Sequence, residues 1–184
     1  MPFHDREQDE ELMAQFFSYA ALPLYKYAMK LLGNPTWAED AVQATFTQLI
    51  QYFDHIRTFD NNRFLGYARR VLLHQCAAIA KQQDQFPPTE DVGQNEPDPS
   101  EPVIDFVERR ATREEIRRCI EKLSPRYRMI LYLKYFENRS GEEICSIMGL
   151  KDSNARTLLT RARAQLKQIY LREILGKDPD VVPV

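Results

Sequence analysis

Glycine occurs only six times and cysteine only three times in 184 residues, and long apolar runs are missing. With so few glycines there is no Gly-rich phosphate loop of the kind nucleotide-using enzymes carry. Cys76, Cys119 and Cys145 form no CxxC pair, and any disulfide scheme leaves one of them over, so they read as reduced thiols. His4, His55 and His74 share no spacing with one another or with the cysteines that would seat zinc, so neither a metal nor another cofactor is expected. The acids and histidines form no nucleophile, base or metal constellation, and the chain is not expected to be an enzyme. No stretch approaches the ~20 apolar residues of a membrane span. The opening MPFHDREQDEELM is acidic and polar where a secretory signal is basic and then apolar. A cytoplasmic location without membrane insertion is therefore expected.

What the sequence does contain is Leu, Ala, Ile and Arg in proportions that favour helix over sheet, which predicts an all-α protein. DQFPPTEDVGQNEPDPSEP, beginning at Asp84, loses all apolar periodicity and cannot bury enough surface to offset its ordering entropy. It divides the chain into two small helical domains, 1–83 and 109–177, joined by an acidic Pro-rich linker, 84–108, and followed by a tail, 178–184. The linker has only acidic formal charges, whereas Lys and Arg outnumber Asp and Glu by about two to one from Arg109 to Lys177. The net charge of −2 is thus a cancellation between segments.

In the first domain, LPLYKYAMKLLGN predicts a helix begun or kinked at Pro23 and stopped at Gly33. The next helix starts with Thr36 and Glu39 at capping-box spacing. Ala38, Ala41, Val42, Phe46, Leu49, Ile50 and Phe53 recur along it as one apolar stripe. Glu39, Asp40, Gln43, Thr47 and Gln51 are left on the opposite side. NRFLGYARRVLLHQCAAIAKQQ predicts a third amphipathic helix.

In the second domain, Ser124 and Pro125 read as N-cap and first-turn residue for RYRMILYLKYF, with Ile130, Leu131, Leu133 and Tyr135 available for packing. Ser140 and Glu143 form a second capping box, and that short helix stops at Gly149. Asp152 or Ser153 then caps a long basic helix. A short capped helix, a glycine turn and a longer basic helix make a helix-turn-helix, whose second helix enters the DNA major groove. At 100° per residue, Ala155, Leu158, Leu159, Ala162, Leu166 and Ile169 face inward. Asn154, Arg156, Thr157, Thr160, Arg161, Arg163 and Lys167 face outward, and these are residue types that contact base edges and phosphates.

The segment from LYKYAMKLLGNPTWAEDAVQATF to FLGYARR resembles the second conserved region of an RNA polymerase sigma factor of the extracytoplasmic-function type. IEKLSPRYRMILYLKYFENRSGEEICSIMGLKDSNARTLLTRARAQLK resembles the fourth. The resemblance implies a factor that binds core RNA polymerase and directs promoter-specific initiation. It gives Asp40 and Gln43 a docking role on the polymerase clamp and Glu39 and Thr47 a peripheral one. It implicates Asn61, Asn62, Arg63, Phe64 and Tyr67 in opening the downstream promoter element and capturing an extruded base, a task that suits aromatic and amide groups. Phe64 and Tyr67 would serve equally well as core. The upstream element would be read by Ser153, Asn154, Arg156, Thr157, Thr160, Arg161 and Arg163. Core polymerase, promoter DNA and an anti-sigma factor are the implied partners. The linker would run near the RNA exit path, although a plain solubilising linker has the same composition.

Four departures stand out against that family. Ala44 replaces a carboxylate after the docking-helix glutamine, and Tyr67 stands where Trp is familiar. The third helix lacks the usual Asn, Asp and terminal arginine cluster. Leu158 replaces an Arg in ARTL, and its place on the apolar stripe makes it a packing residue. Two other readings follow from the residues: a sigma-like decoy or adaptor that binds an anti-sigma factor, and a stand-alone helix-turn-helix transcription regulator.

Overall fold

The computed structural model describes residues 6–83 and 112–176, and these divide into two compact units that meet in sequence at Ile79 and Ala80. The described residues are helical throughout, without a strand, as an all-α chain requires. The expected linker, 84–108, and tail, 178–184, lie outside the described residues. No helix among the described residues is long and apolar enough to cross a membrane.

The first unit is built on α1, Arg6–Leu32. This helix starts well before Pro23, which lies inside it on an exposed position rather than at its beginning. Phe16, Ala20, Leu24, Tyr27, Ala28 and Leu31 recur at helical spacing and are buried, so burial of this stripe outweighs the one backbone bond proline removes. Gly33 ends α1 in the left-handed region at φ 68°, its N–H donating to Met29 O at 2.9 Å.

Helix α2, Pro35–Gln51, does not open with the expected Thr36–Glu39 box. Asn34 is the cap, its Oδ1 accepting from Trp37 N at 3.2 Å, and Pro35 takes the first helical position. Proline has the helical φ built in and no N–H to satisfy, so it fixes the start one residue ahead of Thr36. The inward stripe consists of Ala38, Ala41, Val42, Thr45 and Leu49. Thr45 joins it by donating its hydroxyl to Ala41 O at 2.7 Å, which removes the polar penalty of burial. Phe46 is half-buried against Phe17, and Ile50 is exposed, at the margin of the stripe. A short helix α3, Phe53–Ile56, takes Phe53 out of α2. Helix α4, Asn61–Gln83, follows Asp60, whose carboxylate accepts from Arg63 N at 2.9 Å. It buries Phe64, Ala68, Leu72, Cys76 and Ala80 along one side.

The second unit opens with a capping box not anticipated from the sequence. Thr112 and Glu115 exchange bonds at the start of α5, Arg113–Glu121. Its other end is closed by Arg128, a buried residue of α6, Pro125–Leu131. The Arg128 guanidinium donates to the carbonyls of Ile120, Glu121 and Leu123. Burial pulls its pKa below the ordinary arginine value. Pro125 does occupy the first position of α6, but the Ser124 hydroxyl makes no capping bond. The chain then widens into a π-helical turn, Tyr132–Phe136.

Asn138 adopts a left-handed φ of 54°, and α7, Gly141–Met148, follows with the expected Ser140–Glu143 box intact. Gly149, at φ 61°, ends α7 and makes the turn into α8, Asp152–Glu173. Neither Asp152 nor Ser153 caps α8. Lys151 holds the cap position without a side-chain bond, and the Asp152 carboxylate turns to Arg156 at 2.7 Å. Ala155, Leu158, Ala162, Leu166 and Tyr170 bury the inner side of α8, which packs on α5, α6 and α7. Leu158 is core, as its place on the stripe requires.

All three cysteines are free. Burial raises each thiol pKa, that of Cys76 to about 12.

Candidate nucleic-acid and polymerase interfaces

Three surfaces follow from this packing. On α2, Glu39, Asp40, Gln43 and Thr47 are all exposed, on the side turned away from Ala38, Ala41 and Thr45. The Thr47 hydroxyl donates to Gln43 O at 2.9 Å, so it is occupied along the helix, and the two carboxylates are left as the outward charges of this face. Ala44 is half-buried beside it. Gln48 accepts from Gln75 at 2.9 Å and so ties α2 to α4 along another edge. Such a face is a rigid acidic and amide ridge, suited to a cationic protein surface.

The second surface lies at the start of α4. Asn61, Asn62 and Arg63 are exposed, as expected. Phe64 is not: it is fully buried and stacks on Phe16 with centroids 4.2 Å apart. Its place on the inner stripe of α4 makes it core, and it is removed from the base-contacting set. Tyr67 is half-buried and meets two rings the sequence reading missed, Phe59 at 5.9 Å and His55 at 6.0 Å, both edge-on. The Arg63 guanidinium lies 4.1 Å above the Phe59 ring. FDHIRTFD does show an aromatic and basic density between two helices, which is the signal that was available. The convergence of its rings on Tyr67 is a tertiary fact. Tyr67, His55 and Arg63 form an aromatic and cationic cluster over the buried Phe59 ring and beside two amides, the chemistry that stacks and pairs with an unstacked base.

The third surface is the outer side of α8. Ser153, Arg156, Thr157 and Arg161 are exposed, and Asn154 and Thr160 are half-buried at its border. The Thr157 hydroxyl donates to Ser153 O at 3.0 Å. The Arg156–Asp152 pair is an exposed i,i+4 bridge, worth only ~0.3–0.5 kcal/mol, so a phosphate can displace it readily. The first turn of α8 has no side-chain cap, which leaves its N–H groups able to meet a phosphate. Arg163 does not belong to this surface. It is 8% exposed, and its Nε donates to the Tyr135 hydroxyl at 2.7 Å. Tyr135 reaches α8 from the π-helical turn and claims that guanidinium for the interior.

No group of His, Cys, Asp and Glu among the described residues could hold a metal ion.

The matches to known proteins fall on the same two units. Residues 17–85 match Sigma-70 region 2, and residues 113–166 match Sigma-70, region 4. The RNA polymerase sigma-E factor of Streptomyces coelicolor is 26% identical over 160 residues, covering 85% of this chain and 82% of its own. The RNA polymerase sigma factor YlaC of Bacillus subtilis is 25% identical over 173 residues, covering 89% and 92%. The RNA polymerase sigma factor CarQ of Myxococcus xanthus is 28% identical over 185 residues, covering 95% and 94%. Two region matches in order on one chain, with relatives that span nearly its whole length, favour neither a stand-alone regulator nor an adaptor. The chain belongs to the sigma-70 family and is an RNA polymerase sigma factor of the extracytoplasmic-function type, a director of transcription initiation.

Proposed function

We propose that this sigma factor docks on core RNA polymerase through the α2 ridge and carries promoter DNA on two separate surfaces, catalysing no reaction itself. Asp40 and Gln43 make the central docking contacts, with Glu39 and Thr47 at the margin. Asn61, Asn62, Arg63 and Tyr67, joined by His55, engage the opened downstream element, with Phe59 packed beneath them. Ser153, Asn154, Arg156, Thr157, Thr160 and Arg161 read the upstream element as duplex. The observation that carries this reading is the pairing, in one chain, of an exposed acidic ridge on α2 with an exposed basic face on α8. A free DNA-binding module has no use for the first.

The domains divide this work: 1–83 for docking and the downstream element and 109–177 for the upstream element, with 84–108 as the linker that joins them in sequence. The factor acts in the cytoplasm, where its polymerase is. An anti-sigma partner would silence it by covering the α2 ridge. The purified chain is expected to co-elute with core polymerase and to give a specific transcript from its own promoter. Failure of both would overturn the reading.

A further inference from the structure

Helix α8 carries one cation that is buried. Arg163 is 8% exposed, whereas Arg156 and Arg161 on the same helix are exposed. Its Nε donates to the Tyr135 hydroxyl at 2.7 Å, and its guanidinium carbon lies 5.7 Å from the centroid of the Tyr135 ring. Tyr135 belongs to the π-helical turn Tyr132–Phe136, where Glu137 N donates to Tyr132 O at 3.1 Å. One residue added to a helix of 3.6 residues per turn advances the side chains that follow by about 100°. The π turn therefore decides which side chain of YLKYF meets α8.

Stability alone does not call for this arrangement. A buried guanidinium gives up its hydration, and apolar residues of the same volume hold a core together as well or better. What the guanidinium supplies is direction, since it is planar and its donors point along fixed lines. The phenol that receives the bond is equally constrained, because its oxygen lies in the plane of a packed ring. A bond between two such groups specifies how far α8 is turned about its own axis. Arg163 is also close to the outer face it would set, two residues beyond Arg161 and three beyond Thr160. Side-chain ends lie ~5–6 Å from a helix axis, so a rotation of ~10° displaces them by ~1 Å. That is enough to spoil a two-point contact with a base edge.

We infer that Tyr135 and Arg163 are a positioning pair that fixes the rotation of α8, so that sequence discrimination at the upstream element depends on a bond that touches no base. This rests on the proposal that α8 reads that element. Every other cation proposed on this helix acts from outside; this one acts from within, by aiming its neighbours.

The test uses the full chain bound to core polymerase. It measures affinity for upstream-element duplexes carrying each single base-pair change, at several salt concentrations, for wild type, Tyr135→Phe, Arg163→Met, the double variant and Arg161→Ala. Circular dichroism and thermal melting confirm that each variant is folded. Tyr135→Phe keeps the ring and removes only the hydroxyl. The expected result for Tyr135→Phe and Arg163→Met alike is a fall of roughly three- to tenfold in discrimination at several base pairs, with the slope of log affinity against log salt unchanged. The double variant is expected to lose no more than either single variant, as two ends of one bond should. A merely structural role would lower the melting temperature and weaken all duplexes evenly, which overturns the inference. A slope reduced by about 1 in Arg163→Met, with Tyr135→Phe unaffected, would make Arg163 a phosphate contact and also overturn it. If Arg161→Ala changes neither affinity nor preference, the assignment of α8 to the upstream element falls and this inference falls with it.

Discussion

Phe16 and Phe64 lie ring on ring, their centroids 4.2 Å apart and their planes 6° from parallel. The contact joins α1 to the first turn of α4, so the helix that carries the proposed downstream-element residues is anchored from beneath by an aromatic pair. Phe64→Ala should lose ~3–5 kcal/mol, the usual loss for a fully buried phenylalanine, and denaturant unfolding of the chain would show it. Tyr67→Ala, at a half-buried position, should unfold close to wild type and instead weaken promoter opening. A neutral Phe64→Ala would mean that the stack is not core.

The α2 ridge makes a contrasting case. Asp40 is exposed, as are Glu39, Gln43 and Thr47 on the same face, among the described residues. Asp40→Ala should leave the circular dichroism spectrum intact and stability within ~0.5 kcal/mol of wild type. Its affinity for core polymerase should fall. Unfolding of this variant would show that the carboxylate serves the fold.

On α8 the prediction concerns kind as well as size. Arg161→Ala is expected to weaken promoter binding by ~1–3 kcal/mol and to relax preference at one upstream base pair. Competition among single-substituted duplexes would read this directly. An even loss across all of them, with the salt slope lowered by about 1, would reassign Arg161 to the phosphate backbone.

Acid should act on the second unit through two carboxylates. Glu143 is held below the usual carboxylate range by the Ser140 backbone N–H and then by the Arg139 side chain, and Glu173 by the side-chain bond and charge of Lys122. Each has a folded pKa below its unfolded one, so its contribution is complete above the unfolded value of ~4.3 and disappears as pH falls through the folded value. The melting temperatures of wild type and Glu143→Gln should therefore differ at pH 7 and converge below about pH 4. A gap that stays constant to pH 3 would contradict the linkage.

The amphipathic stripes of α2, α4 and α8, the Ser140 box and the Gly149 turn are legible in sequence because each is a local rule: a period, a cap, a residue that tolerates positive φ. Arg163 shows what a period cannot reveal. It stands seven residues after Arg156, within ~20° of the same azimuth, two turns further along the helix. One is in solvent and the other is covered by Tyr135, because the covering turn crosses α8 at one height and not at the other. Helical spacing records angle and is blind to height. Thr36 and Glu39 failed for a different reason, since two valid start signals overlapped and Pro35 with Asn34 prevailed. The start of α1 was missed because a stripe from Phe16 onward can carry a helix through an exposed proline.

The burial of Cys76 has a chemical consequence. Oxidants and alkylating agents attack the thiolate, and a group with a pKa near 12 is ionised in only about one molecule in a hundred thousand at neutral pH. Cys119 and Cys145 are shifted in the same direction. In the folded first unit Cys76 therefore offers peroxide and alkylating agents almost no thiolate to attack.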